Sequence, residues 1–254
     1  MTNTTKIGLI TGGSRGLGRD MALSMARKGT DILLTYHSRA SEAQTVVDEI
    51  RAMGRKAVAL QLDAGDVATF PAFFDALPGI LQTTFGQARF HYLVNNGGTG
   101  LNASFLDTRE DDFDSLINIH FKGVFFFSQM ALSYMEDGGA IVNISSGLAR
   151  FTFPNRAAYG SIKSAVETLS RYMALELGPR RLRVNVVAPG AIATDFSGGV
   201  VRDNPQVNAA IAAQTALGRV GLPTDIGSVV AFLCSDEAGW VTGQRIEVSG
   251  GMHL

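Results

Sequence analysis

Residues 7–29 read IGLITGGSRGLGRDMALSMARKG. Ile7–Ile10 is an apolar run of strand length, four glycines crowd residues 12–18, and Leu17, Met21, Ala22 and Met25 then recur at helical spacing until Gly29 stops the pattern. Glycines at a strand-to-helix turn let backbone approach a ligand, and the first helical N–H groups point partial positive charge at it, which suits a pyrophosphate. The spacing is G-x-x-x-G-x-G rather than G-x-G-x-x-G, so the turn alone leaves open an ordinary glycine turn with no ligand. A Walker A loop is excluded, because Arg19-Asp20 follows Gly18 where Lys and Ser/Thr would be needed.

The same alternation continues outward. Ile32–Tyr36, Ala57–Gln61, Tyr92–Val94, Ala140–Ile144, Arg183–Val187 and Arg245–Val248 read as further strands. Between them come helical patterns: one with Ser41 as N-cap, Val46, Val47 and Ile50 as stripe and Gly54 as stop; one over Phe70–Leu81 that Pro78 should break or kink; and a long apolar helix over Val124–Met135. Apolar strands alternating with helices predict one α/β domain over residues 1–254, a doubly wound parallel sheet of about seven strands covered on both faces. Residues 195–215, rich in Gly, Asn and Ala, interrupt the alternation as a loop or short helices and form the expected substrate loop.

Charge and cysteine content narrow the function classes. Twenty-two basic and 23 acidic residues leave a net charge of −1, too little field to hold nucleic acid or an anionic membrane. Cys234 is the single cysteine, which rules out an internal disulfide and suits a reducing cytoplasm. His37, His91, His120 and His253 lack metal-ligand spacing, so no metal is expected. No apolar stretch approaches the ~18 residues that span a bilayer, and the N-terminus lacks a signal-peptide core. A cytoplasmic chain without nucleic-acid or membrane partners is the expectation.

Tyr159-Gly160-Ser161-Ile162-Lys163 opens a helical pattern that places phenol and ammonium on one face. A fixed positive charge there should lower the phenol's pKa and fit it for proton exchange, although Tyr-x-x-x-Lys also occurs as a packed tyrosine beside a solvated lysine. Ser145-Ser146 follows one strand and Asn95-Asn96-Gly97-Gly98 another, both at the sheet end where ligands bind. No G-x-S-x-G surrounds the serines, which disfavours a serine hydrolase.

TGGSRGLG at 11–18, Asp63, NNGG at 95–98, INIHFKG around Asn118, ISS at 144–146, YGSIK at 159–163, RVNVVAPGAIAT at 183–194 and VTGQRIEVSGG at 241–251 together resemble the short-chain dehydrogenase/reductases, NAD(P)-dependent oxidoreductases with one Rossmann-like domain. The resemblance implies that Tyr159 is general acid, that Lys163 tunes it and binds the nicotinamide ribose, that Ser146 polarises a carbonyl, and that Asn118 holds a relay water. It implies cofactor contacts from Gly12, Ser14, Arg15, Gly16 and Leu17 at the pyrophosphate, and from His37, Ser38, Arg39, Asp63 and Ala64 at the adenosine. Asn95 and Gly97 should follow at its ribose, with Pro189, Gly190, Ile192 and Thr194 seating the nicotinamide.

The segment Thr35–Arg39 carries no acid to bind adenosine ribose hydroxyls, so NADP(H) is expected over NAD(H), with Arg15 and Arg39 meeting the 2′-phosphate. A small carbonyl or hydroxy substrate and a homotetramer complete the expectation. The alternatives are a 3-oxoacyl-carrier-protein reductase and a non-catalytic nucleotide sensor. Acidic Glu136-Asp137 speaks against an acidic carrier partner, and Arg180-Arg181 speaks for one.

Overall fold

The computed structural model describes residues 5–254. Strands β1 (Ile7–Ile10), β2 (Asp31–Tyr36), β3 (Ala57–Gln61), β4 (Phe90–Asn95), β5 (Met135–Ile144), β6 (Arg183–Pro189) and β7 (Arg245–Val248) form one sheet. Their order is β3-β2-β1-β4-β5-β6-β7, and every neighbouring pair is parallel. The crossovers carry helices α1 (Gly16–Arg27), α2 (Ala40–Ala52), α3 (Phe70–Ile80), α4 (Glu110–Ile117), α5 (Gly123–Ala131), α6 (Ala157–Glu176), α7 (Val200–Asp203), α8 (Pro205–Ala213) and α9 (Pro223–Leu233). Among the described residues no helix is long and apolar enough to cross a membrane.

Apolar strands without alternation are explained by burial on both faces. On one side Ile10, Ile32, Leu34 and Val142 pack against Met21, Val46, Val47, Ile226 and Val230 from α1, α2 and α9. On the other, Leu9, Leu33, Leu93 and Ile141 meet Phe70, Phe74 and Phe127 of α3 and α5, whose rings pack edge-on or tilted at 4.9–5.2 Å. His91 is also buried; its Nδ1 accepts the Ile7 N–H at 3.1 Å, and burial pushes the imidazole down to about 4, keeping it a neutral acceptor.

Several elements depart from the sequence reading for identifiable reasons. The fourth and fifth strands are longer than expected, because Met135 already pairs with Phe90 before the register slips and resumes at Tyr92 with Ala140. Glu136 and Asp137 therefore lie on an exposed excursion within β5 rather than in a turn before it. Since Met135 must enter the sheet, α5 stops at Ala131 and Leu132–Tyr134 tighten into a 3₁₀ turn, four residues short of the helix expected over 124–135. Pro78 does not end α3, which continues to Ile80 and then widens into a π turn over Leu81–Phe85. Of the two forms expected for residues 195–215, short helices are the one found: α7 and α8 are separated at Asn204, whose Oδ1 caps α8 by accepting the Gln206 and Val207 N–H groups.

Strand order reverses between β1 and β4, so the loops leaving their C-terminal ends diverge and open a crevice. The glycine turn follows β1, NNGG follows β4, Ser145-Ser146 follows β5, and the Pro189–Thr194 stretch begins at the end of β6. All four motifs thus reach one edge of the sheet.

Candidate active site

A cavity of about 1020 Å³ occupies that edge. Its phosphate end is the glycine turn. Arg15 leads α1 in extended conformation, and the helix has neither a side-chain cap nor an acid in its first turn, leaving its first N–H groups open for an anion. The turn fits tightly around itself: a Cβ on Gly18 would lie 2.1 Å from the Gly12 carbonyl oxygen and 2.5 Å from Asn96 Nδ2. Asn96 Nδ2 donates to the Thr11 and Gly12 carbonyls at 2.9 and 3.1 Å, and Thr11 Oγ1 accepts the Asn96 and Gly97 N–H groups, both at 3.0 Å. These bonds clamp the loop after β4 onto the loop after β1, and the closely packed, uncapped cradle fits a dinucleotide pyrophosphate.

Gly12, Ser14, Arg15, Gly16 and Leu17 all line this end. His37, Ser38 and Arg39 continue the wall beside Asp63 and Ala64, with His37 Nε2 3.6 Å from Asp63 Oδ2. Gly97, Pro189, Gly190, Ile192 and Thr194 line the far side. Asn95 is not in the wall. It is 5% exposed and turned into the core, where its Nδ2 donates to Ser128 Oγ at 2.9 Å and Asn143 Oδ1 at 2.7 Å, while Asn143 Nδ2 donates to Ser170 Oγ at 2.8 Å.

Ser146, Tyr159, Lys163 and Asn118 meet in the cavity's interior. The helical spacing holds, with both Tyr159 and Lys163 on α6 and buried. Lys163 Nζ donates to the Ile144 carbonyl at 2.7 Å and lies 5.7 Å from the centre of the Tyr159 ring. Burial pushes this lysine down to about 7. It also pushes the Tyr159 phenol up, outweighing the pull of Arg156's charge and of the nearby Ser146 hydroxyl, so the lowering expected from Lys163 does not prevail and the protonated phenol is favoured.

The two serines differ. Ser145 Oγ donates to Glu167 Oε1 at 2.7 Å, and Glu167 is held by Arg245 at 2.7 Å, whereas Ser146 Oγ accepts the Leu148 N–H at 3.2 Å and lies near enough to the Tyr159 phenol to favour its charged form. Ser146 is therefore the serine that shares the phenol's site. Arg245 and Arg150 both grip Glu247, and Arg150 also donates to the Met252 and His253 carbonyls at 3.1 Å, securing Met252 in the cavity wall.

His120 belongs to this group, although in INIHFKG only Asn118 is expected to act. Asn118–Lys122 form a π turn between α4 and α5, which carries His120 inward to a ring-edge contact with Tyr159 at 5.3 Å.

A family model described as enoyl-(acyl carrier protein) reductase matches residues 12–253. Hydroxynaphthalene reductase-like protein Arp2 of Metarhizium brunneum is 36% identical over 97% of this chain and 94% of its own. The reductase LugOII, whose structure is described as catalysing keto-reduction at C1 during lugdunomycin biosynthesis, superposes with TM-score 0.92 at 35% identity over 98% of both chains. The angucycline C-6 ketoreductase LanV, solved with bound NADP, superposes with TM-score 0.92 at 34% identity over 98% of this chain and 96% of its own. A seven-stranded parallel sheet, a glycine cradle, a Ser-Tyr-Lys cluster and whole-chain similarity to ketoreductases have one common explanation: the chain belongs to the short-chain dehydrogenase/reductases, the NAD(P)-dependent oxidoreductases with a single Rossmann-like domain.

Proposed function

We propose that this protein reduces a ketone carried on a fused aromatic ring, as a free small molecule, with NADP(H) preferred over NAD(H). The observation that carries the reading is the buried Tyr159 phenol, gathered with Ser146 and Lys163 in a cavity that is also walled by Phe151, Phe153 and Phe196. Aromatic walls favour a flat apolar substrate, and the names of Arp2, LugOII and LanV point to related chemistry. Phe196, Val200, Val207 and Ile211 bring the 195–215 segment into the same wall, which supports its role as the substrate loop of a single domain.

A bound reduced nicotinamide supplies hydride to the carbonyl carbon. As negative charge develops on the carbonyl oxygen, Tyr159 gives that oxygen its phenolic proton and the Ser146 hydroxyl donates a hydrogen bond to it. Lys163, fixed by the Ile144 carbonyl, then places positive charge beside the phenolate left behind. Asn118, at the head of the π turn, is the relay candidate that returns a proton from water.

At the adenosine end, no acid stands between the end of β2 and Arg39, and both candidate phosphate ligands are only loosely paired. Arg15 is 3.7 Å from Asp195 and Arg39 is 3.4 Å from Glu42, with half or more of each arginine side chain exposed, so a 2′-phosphate can take them over. LanV's bound NADP agrees with that preference.

An acyl chain on an acidic carrier protein has less support. Arg180 is already tied to Asp137 at 2.7 Å and to the Leu132 and Met135 carbonyls, which removes half of the basic patch a carrier would need. A non-catalytic sensor leaves the Ser146-Tyr159-Lys163 grouping without a purpose. The same reading includes a cytoplasmic homotetramer; a 27.0 kDa monomer in light scattering at micromolar concentration refutes that assembly.

The deciding assay measures cofactor oxidation with tetralone and with acetoacetyl thioesters, on and off carrier protein, using NADPH and NADH. We expect kcat/KM with NADPH to be roughly tenfold or more above NADH, from the charge-assisted phosphate contacts. A preference for NADH refutes the cofactor assignment, and a large gain from the carrier refutes the free substrate.

A further inference from the structure

Arg156 is a charged side chain of the cavity to which the reaction described above gives no task. It lines the wall with Tyr159 and is half-buried. It takes the N-cap position of α6, where its carbonyl accepts the Gly160 N–H at 2.8 Å, so residues 156, 159 and 163 fall on one stripe of the helix. Arg156 thus stands one turn ahead of the phenol, near enough for its charge to favour the phenolate.

Backbone, not a counter-charge, holds this side chain in place. Nη1 donates to the Leu101 carbonyl at 2.7 Å, and the neighbouring Asn155 carbonyl accepts the Ala103 N–H at 3.2 Å, which stitches the start of α6 to the segment after β4. Nε and Nη2 have no hydrogen-bond partner among the described residues, and no carboxylate among them pairs with Arg156. Asp111 and Asp114 line the same cavity, but both are exposed on α4, and Asp111 is paired with Arg109 at 3.4 Å. Water screens these acids more than it screens a half-buried guanidinium.

The rest of the surroundings are apolar. Phe151, Phe153, Phe196 and Met252 share the cavity with Arg156, and none of them can neutralise a charge. A guanidinium with unused donors in such a wall is poorly solvated, and the partners that match its planar fork are carboxylates and other anionic oxygens. The remaining arginines of the cavity, Arg15 and Arg39, belong to the phosphate and adenosine end. Arg156 is therefore the arginine left for the substrate.

We propose that Arg156 determines substrate specificity by binding an anionic oxygen, a carboxylate or an ionised phenol or enol, on the ketone that Tyr159 protonates. This rests on the reductase reading above and narrows its substrate from any flat aromatic ketone to one that carries a negative charge. Gripped at one point by an ion pair and packed between aromatic rings, such a ketone keeps its carbonyl at the phenol instead of turning freely between apolar walls.

The test compares charged ketones with neutral partners of the same shape in wild type, Arg156→Lys and Arg156→Gln. Tetralones bearing a carboxylate at each aromatic-ring position in turn are set against their carboxamides, and acidic nitro-hydroxytetralones against their methyl ethers, all with NADPH. Wild-type kcat/KM should favour the anion roughly tenfold or more in at least one pair, the worth of one charge-assisted hydrogen bond, and that pair identifies the anion. Arg156→Gln, which loses the charge, should shrink the preference to within about twofold, whereas Arg156→Lys, which keeps it, should retain about threefold or more. Calorimetry with naphthoates and naphthamides on cofactor-loaded protein, whose Arg15 and Arg39 end is filled, should show the same order without turnover.

Equal treatment of anion and neutral partner by the wild type in every pair overturns the proposal. So does an equal loss with both in Arg156→Gln, which would make Arg156 a support for the phenol or for the Leu101 segment. An anion preference in calorimetry that depends on Arg156, with no ketone turned over, instead defeats the reductase reading and leaves the anion site standing. Should Arg156→Gln not fold, Arg156→Met takes its place under the same criteria.

Discussion

Replacement of Tyr159 by phenylalanine is expected to lower the rate of carbonyl reduction by about 10²–10⁴-fold, the range that a positioned general acid contributes. The substitution removes one oxygen and its transferable proton. The ring remains, so the contacts to His120 and Phe196 persist, and the glycine cradle lies on other elements. Cofactor affinity, read by quenching of nucleotide fluorescence on titration, should therefore stay within about twofold. Because burial holds the phenol protonated, the variant loses a proton donor at neutral pH rather than a base. A variant that keeps more than about a tenth of wild-type turnover excludes Tyr159 as the acid, since such a loss is below the general-acid range.

Lys163→Ala should be as damaging and in a different way. The ammonium is 5% exposed, and its Nζ supplies a hydrogen bond to the Ile144 carbonyl at 2.7 Å. Without it the Ile144 carbonyl loses its donor in a buried setting, and the phenolate left after proton transfer loses its neighbouring charge. Turnover should drop on the order of 10²-fold or more. If Lys163 also holds the nicotinamide ribose, Kd for NADPH should rise by about tenfold, the equivalent of one charge-assisted hydrogen bond. Turnover lost with unchanged Kd leaves the charge role intact and removes the ribose contact.

How much of this could be read from the chain depended on whether the backbone kept its period. Tyr159 and Lys163 were legible because α6 runs unbroken from Ala157 to Glu176, so four residues remain one turn. The glycine turn was legible because it directly joins β1 to α1. His120 was not, since the π turn over 118–122 shifts the helical register where it matters, and no local residue marks such a turn. Asn95-Asn96 failed for a simpler reason. Neighbours at a strand end face opposite ways, and nothing local says which one faces the core; Asn95 does, while Asn96 ties the two ligand loops together. Glu167 lies far in sequence from Arg245 and Glu247, and the three become a clamp only once β7 docks beside β6.

The buried chain through Asn95 bears on how this protein can be recombined with its relatives. Ser128, Asn95, Asn143 and Ser170 come from α5, β4, β5 and α6, and each link has a direction: Asn95 donates to Ser128 and Asn143, Asn143 donates to Ser170, and Ser170 donates to the Val166 carbonyl. A crossover point placed between residues 95 and 170 would inherit some of these groups from one parent and some from another. Any mismatch strands an amide or hydroxyl in an apolar interior, whatever the overall similarity of the parents. The four positions therefore form a single inheritance block, and productive chimeras are those whose junctions fall outside it.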